Sequence, residues 1–114
     1  MEDKRQPSYY AIIPAFVRYD DRLLASEKIF YGEITALANK FGYCFAANRY
    51  FAKLYKVSNR SITNWIAKLE KYDYIKTELL RDDNLEVIER KIYIIDDTYR
   101  NSFLYPLDKN VYTL

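Results

Sequence analysis

The sequence predicts an α+β fold in which three helices and one short strand precede an antiparallel β-hairpin. Three observations support this. Apolar residues recur at spacings of three and four up to residue 72, the period then changes to that of strands over residues 74–95, and half of the 114 residues are hydrophobic. We assign residues 1–95 to one domain and residues 96–114 to a C-terminal extension or the start of a linker.

The composition excludes most catalytic chemistry. The chain has no histidine, and Cys44 is its single cysteine, so a Ser-His-Asp or Cys-His catalytic group and an internal disulfide cannot form. Two glycines are too few for a phosphate-binding loop or a dinucleotide-binding pattern. We therefore expect a binding protein rather than an enzyme, with no cofactor and no metal site.

No segment indicates a membrane or an export signal. The longest nearly apolar stretch, residues 9–17, is too short to span a bilayer. The charged N-terminus leads into no apolar region of the secretory type. These features predict a cytoplasmic protein without membrane contacts.

The first half of the chain predicts one helix. Residues 9–13 are a short strand or an extended segment, and residues 14–25 are a connector. Ser26 is the expected N-cap of a helix over residues 27–40, which Gly42 ends. The apolar face of this helix carries Phe30, Ile34, Leu37, Ala38 and Phe41.

The second half predicts two more helices and three strands. Residues 43–45 are a short strand. Asn48 is the expected cap of a helix over residues 49–55, and Ser58 of a helix over residues 59–72. Two longer strands follow, over residues 74–80 and 85–95, with a polar turn at residues 81–84.

Residues 48–67 fit the template of a helix-turn-helix. Ala52 supplies the small residue that the closest approach of two crossing helices requires. The apolar residues expected to hold the pair together are Phe51, Ala52, Tyr55, Val57, Ile62, Trp65 and Ile66. With the hairpin as a wing, this pattern predicts a winged helix-turn-helix, whose third helix enters the major groove of DNA. The alternative is an ordinary helical hairpin in an all-α core.

The side chains left outside this core suit DNA. The candidate contacts on the third helix are Ser58, Asn59, Arg60, Ser61, Thr63, Asn64 and Lys68. Residues 46–74 hold six basic side chains against two acidic ones, although the whole chain has a net charge of only +2. We expect Arg60 and Asn64 to read bases, and Arg49, Lys53 and Lys68 to hold phosphates of double-stranded DNA.

The wing carries charges of both signs. Its candidate DNA contacts are Lys76, Arg81, Arg90 and Lys91. Asp82, Asp83, Glu86 and Glu89 lie around the same hairpin tip and oppose binding to phosphate. The sequence leaves open whether the wing touches DNA.

Several blocks of residues carry a resemblance to a known family. They are residues 10–14, 17–20 with Leu23, 31–34, 42–45, 48–52, 57–58, 65–66, 69–71, 74–75 and 90–94. Over these blocks the chain resembles the N-terminal winged-helix domain of phage and plasmid replication initiators of Gram-positive bacteria, the replisome organisers with DnaD-like parts. The resemblance implies binding to a replication origin and recruitment of the replicative helicase or its loader.

The chain departs from that family at two turns. The family often has glycine where this chain has Lys56, and usually has glycine where it has Asp73. Both positions are expected to need a left-handed backbone, which Asp tolerates better than Lys.

Two other functions remain open from the sequence. One is a transcriptional repressor of the same fold, and the other is a protein-interaction module that assembles a replication complex. The apolar residues near the C-terminus, at 103–105 and 111–112, predict that this segment either docks on the body of the domain or pairs with a second copy to form a homodimer.

Overall fold

A computed structural model describes residues 8, 10–38 and 42–95 of the chain. Its elements are α1 (Ala15–Arg18), α2 (Ala25–Ala38), α3 (Asn48–Tyr55), α4 (Asn59–Lys71), β1 (Ile75–Arg81) and β2 (Val87–Ile94). The predicted second and third helices are α3 and α4. The order confirms the α+β winged-helix fold. The C-terminal extension at residues 96–114, with the apolar residues expected to dock on the domain or to form a dimer, lies outside the described residues.

The connector before α2 contains a helix that the sequence pattern did not predict. Pro14 is the N-cap of α1, and the helix ends after four residues. Residues 10–13 form no strand but pass over α2, where the backbone N–H of Ile12 donates to the hydroxyl of Thr35 at 2.9 Å. A Cβ atom at Gly32 would lie 3.0 Å from Cγ1 of Ile13, so glycine allows this close approach.

The start of α2 corrects the prediction that Ser26 is its N-cap. The helix begins at Ala25, so Ser26 lies in its first turn. The cap comes instead from Glu27, whose Oε1 accepts the backbone N–H of Leu24 at 2.6 Å. Glu27 thus makes the hydrogen bond that the glutamate of a capping box makes, but the serine or threonine usual at the N-cap is absent at Leu24.

Aromatic rings form the centre of the core between α2, α3 and α4. Phe30 and Phe51 are fully buried, and their ring centroids lie 4.9 Å apart in an edge-to-face arrangement. Trp65 packs against Phe30 at 5.6 Å. Since α4 buries Ile62, Ile66 and Leu69 along one face, its opposite face is left for solvent.

The sheet is small and consists of the two strands of the hairpin. β1 and β2 pair antiparallel from Ile75 opposite Ile94 to Arg81 opposite Val87, with an irregularity after Leu80. The predicted third strand is a single bridge between Cys44 and Ile92. Burial raises the pKa of the Cys44 thiol to about 11, so this thiol is protonated at neutral pH and unreactive.

Three turns use a left-handed backbone without glycine. Lys56 has φ 56° and Asp73 has φ 61°, so the conformation expected at both positions is confirmed. Leu85 in the wing turn, with φ 64°, was not predicted. A left-handed residue with a side chain costs energy, because its Cβ crowds the following carbonyl.

The buried carboxylate of Asp20 joins the connector before α2 to Tyr74, the residue that precedes β1. Arg22 donates to both carboxylate oxygens of Asp20, at 2.9 and 2.7 Å, and the buried hydroxyl of Tyr74 donates to the same carboxylate. The Arg22 guanidinium, more than the tyrosine, holds the pKa of Asp20 well below its usual range against the effect of burial.

Among the described residues, no helix is long and apolar enough to cross a membrane.

Candidate nucleic-acid interface

The outer face of α4 is the centre of the candidate interface. The hydroxyl of Ser58 accepts the backbone N–H of Ser61 at 3.1 Å, which confirms Ser58 as the N-cap. Arg60, Thr63 and Asn64 are exposed on the face opposite the buried residues of this helix. Arg60 and Asn64 are four residues apart, so their side chains are neighbours on one face.

Three cations of the helix-turn-helix are free to meet a ligand. Arg49 and Lys53 on α3 and Arg60 on α4 are exposed. Within the part of the chain that the structure describes, these three side chains make no ion pair or hydrogen bond. A phosphate or base that approaches α3 and α4 would therefore not compete with an internal partner for these charges.

Of the remaining predicted contacts near the start of α4, Ser58, Ser61 and Thr63 already have side-chain hydrogen bonds within the protein. The hydroxyls of Ser58 and Ser61 lie 3.1 Å apart and share a hydrogen bond. Thr63 donates its hydroxyl to the carbonyl of Asn59 at 3.1 Å and accepts the side-chain amide of Asn48 at 3.0 Å. The Asn59 side chain is exposed.

Lys68 has a different partner from the phosphate that the sequence suggested. Its ammonium forms an ion pair with the carboxylate of Glu27 at 3.0 Å, and the Glu27 side chain is only 5% exposed. A buried carboxylate needs such a partner, because an unpaired buried charge is costly. Lys68 therefore joins α4 to α2, and the proposed DNA face below does not include it.

Arg90 of the wing points back to the body of the domain. Its guanidinium donates to Oδ1 of Asn48 at 2.6 Å and to the carbonyl of Ala46 at 2.7 Å. Burial lowers the pKa of Arg90. Asn48 is the first residue of α3 and follows the N-cap Ala47, so the prediction that Asn48 caps this helix was wrong.

These bonds form one chain from the wing to the outer face of α4. Arg90 donates a hydrogen bond to Asn48, Asn48 donates one to Thr63, and Thr63 donates one to the carbonyl of Asn59. We call these four residues the tether. No sequence pattern indicated it, because Arg90 lies 42 residues from Asn48.

Of the other basic residues of the wing, two have contacts within the protein and one is exposed. Arg81 donates to the carbonyl of Leu85 at 2.9 Å across the hairpin turn. Lys91 lies 4.7 Å from the centroid of the Tyr43 ring, in a cation–π contact. Lys76 is exposed. The acidic turn is ordered by Asp82, whose carboxylate accepts the backbone N–H groups of Asn84 and Glu86.

Comparison with known proteins supports the interpretation of the fold. Residues 22–75 match the family model of a helix-turn-helix domain, a range that runs from three residues before α2 to the first residue of β1. No curated protein sequence and no solved structure matches the chain significantly. The match agrees with the observed arrangement of α3 and α4 and supports a helix-turn-helix fold, which suggests DNA binding.

Proposed function

We propose that this domain binds a specific duplex site at the replication origin of a phage or plasmid, with α4 in the major groove. The observation that carries the proposal is that Arg60 and Asn64 are both exposed on the outer face of α4. Among the described residues, the Arg60 guanidinium has no partner within the protein. The resemblance to replication initiators supports the choice of an origin as the site.

The chemistry of the face suits reading of DNA sequence. The arginine fork matches the O6 and N7 acceptors of guanine, and the asparagine amide matches N6 and N7 of adenine. Arg49 and Lys53 of α3 would bind phosphates beside the groove and so fix the position of α4. Asn59, Ser58 and Ser61, near the start of α4, are further candidates for phosphate contacts.

Fluorescence anisotropy measures the binding of the chain to labelled duplex and single-stranded DNA over a salt series. This experiment tests the part of the proposal that concerns DNA binding. The duplex site is first selected from random sequences with the wild-type chain. We expect Arg60→Ala to cost about 1–3 kcal/mol on the selected site, and less on unrelated duplex. Arg18→Ala is the matched control, because it removes the same charge from an exposed arginine of α1 that is not a candidate DNA contact.

Two results would change the assignment. An equal loss on all sequences would make Arg60 a phosphate contact rather than a base-reading residue. Absence of duplex binding at low salt would contradict the proposal as a whole and favour a protein-interaction module.

The role in replication needs a separate experiment. We expect the chain, bound to its selected site, to retain the replicative helicase or helicase loader of a Gram-positive host in a pull-down. If neither is retained, and the chain represses a reporter whose promoter overlaps the site, a transcriptional repressor replaces the initiator.

A further inference from the structure

The hydrogen bonds of the tether run in one direction, which the Arg90 guanidinium sets. An arginine side chain only donates, so the atom of Asn48 that lies 2.6 Å from it must be the carbonyl oxygen Oδ1. The amide nitrogen of Asn48 therefore faces Thr63, and Oγ1 of Thr63 accepts its hydrogen bond at 3.0 Å. A second bond, to the carbonyl of Ala46, holds the guanidinium in place. The orientation of the Asn48 amide thus follows from its neighbour in the wing.

The hydroxyl of Thr63 has no proton left for a ligand. A hydroxyl has one proton and two lone pairs, and one lone pair of Thr63 accepts the amide of Asn48. The proton goes to the carbonyl of Asn59 at 3.1 Å. If it turned towards a ligand, Oγ1 and this carbonyl oxygen would face each other with no proton between them. Towards a ligand, Thr63 therefore offers its methyl group and one lone pair.

The bond from Asn48 also fixes the rotamer of Thr63. A threonine in a helix divides between two χ1 rotamers, because its hydroxyl can bond a carbonyl of the preceding turn in both. Asn48 lies on α3, so its amide meets Oγ1 in one position and holds it there. The same bond fixes the methyl group of Thr63, since the methyl group and Oγ1 are attached to one Cβ atom.

Ser58 and Ser61, near the start of the same helix, lack this fixed direction. Their hydroxyls lie 3.1 Å apart and either can be the donor, so one of the two protons is available to a ligand. A hydroxyl that can donate or accept distinguishes bases poorly. Thr63 differs from both serines, because the donor and the acceptor are assigned in each of its two internal bonds.

The groups that Thr63 offers match an A·T pair. In the major groove thymine presents its methyl group and adenine an amino donor, whereas guanine presents two acceptors, N7 and O6. A lone pair that faces the acceptors of guanine is unfavourable, and cytosine has no methyl group to pack against. Thr63 is exposed on the outer face of α4, directly before Asn64 and three residues after Arg60. It therefore lies among the residues that we expect to read bases.

We propose that Thr63 selects an A·T pair in the DNA site, with its methyl group against the thymine methyl. Arg90 and Asn48 are positioning residues that fix the rotamer and the hydrogen-bond direction of Thr63. This inference rests on the proposed function and adds a specificity-determining residue to the same face. It also gives the wing a part in base selection that needs no contact between Arg90 and DNA.

Sites selected from random duplex DNA, with the bound pool sequenced, test the role of Thr63. Thr63→Ser removes only the methyl group, whereas Thr63→Val keeps a methyl group and removes the hydroxyl. The base pair at which the Thr63→Ser profile departs from that of the wild type is the one that Thr63 faces. There we expect the wild type to prefer A·T over G·C by at least about fivefold, Thr63→Val to keep this preference and Thr63→Ser to lose it.

Two duplexes that differ only at this base pair test the positioning residues by fluorescence anisotropy. Asn48→Ala and Arg90→Met should each lower the preference to about twofold or less, because they release the hydroxyl. In a Thr63→Val background, Asn48→Ala should change the preference no further, since no hydroxyl remains to be held. Asn84→Ala is the matched control, because it removes the same side chain at an exposed position of the wing turn. The base preference that Arg60→Ala abolishes should persist in all of these variants.

The tether can also be measured without DNA. In NMR spectra of the free chain, the side-chain amide signals of Asn48 should move in Thr63→Val and in Arg90→Met, but not in Asn84→Ala. Circular dichroism checks that each variant remains folded. Unmoved signals would mean that the tether does not form in solution and would overturn the proposal.

Three results with DNA would overturn the proposal and leave the proposed function in place. A Thr63→Ser profile equal to that of the wild type would show that Thr63 reads no base. A preference for G·C at its position would show that the hydroxyl donates to DNA. Loss of preference at every position in Asn48→Ala would make the tether a structural support of the whole face. In all three cases the wild type still binds a selected duplex, whereas absence of duplex binding contradicts the proposed function and this proposal together.

Discussion

The helix-turn-helix and the wing are adjacent in the chain but expose different surfaces. α3 and α4 present cations that have no internal partner among the described residues. The wing instead exposes aliphatic side chains around an acidic turn, and Leu85 and Ile88 there are 73% and 61% exposed. Two of the four wing cations, Arg81 and Arg90, are already held by protein carbonyl or amide oxygens.

The difference shows that a count of charges along a sequence does not give the charge available to a ligand. Both regions contain several basic residues. Among the described residues, Arg49, Lys53 and Arg60 of the helix-turn-helix have no protein partner, whereas Arg81 and Arg90 of the wing are hydrogen-bonded within the protein. We therefore expect the helix-turn-helix, rather than the wing, to supply the contacts to DNA. The predictions below test this division of roles.

The largest expected effect concerns packing in the two regions. Phe51→Ala should lower the free energy of unfolding by about 3–5 kcal/mol, because Phe51 is fully buried against Phe30. Ile88→Ala in the wing should change it by less than about 0.5 kcal/mol, because Ile88 is mostly exposed. Urea unfolding followed by the fluorescence of Trp65 measures both. A large loss for Ile88→Ala would mean that the wing is covered in solution.

The features that the sequence could predict depend on local signals. Ser58 caps α4 through a residue three positions away, and the left-handed backbone at Lys56 and Asp73 follows from turns between regular elements. The prediction failed where the local signal was misleading. Ser26 is a good cap by type, but with Glu27 as the capping residue α2 begins at Ala25, two residues before the predicted start.

The candidate site shows the same limit. Helical periodicity was enough to predict that Arg60, Thr63 and Asn64 are exposed, since exposure follows from the face that the helix buries. The partners of Lys68 and Arg90 could not be predicted, because Glu27 and Asn48 are distant in sequence and meet them only in the folded chain.

An intermediate effect concerns the tether from the wing to α4. Arg90→Met should lower the free energy of unfolding by about 1–3 kcal/mol, because the Ala46 carbonyl and the Asn48 amide lose a charged donor. Arg90→Lys is the control: it keeps the charge but cannot make both bonds, so it should recover little of the loss. Urea unfolding gives both values. Unchanged stability with weaker DNA binding would instead make Arg90 a DNA contact of the wing.

The smallest effect concerns backbone strain, which occurs in both regions. Lys56→Gly should raise the free energy of unfolding by about 0.5–1 kcal/mol, because the relief of left-handed strain exceeds the extra entropy that glycine loses on folding. Lys56→Ala keeps the strain and should give no gain. Asp73→Gly should gain less than Lys56→Gly, since Asp tolerates this conformation better.

Leu85→Gly replaces the left-handed residue of the wing turn by glycine. The sign of its effect on the free energy of unfolding tests the comparison between the wing and the helix-turn-helix. If the leucine side chain is as exposed in solution as in the structure, its loss costs no packing and the gain should be close to that of Lys56→Gly. Urea unfolding at low and high protein concentration measures it. A gain at Lys56 with a loss at Leu85 would show that the wing leucine is covered in solution, and a loss that grows with concentration would identify the cover as a second copy of the chain.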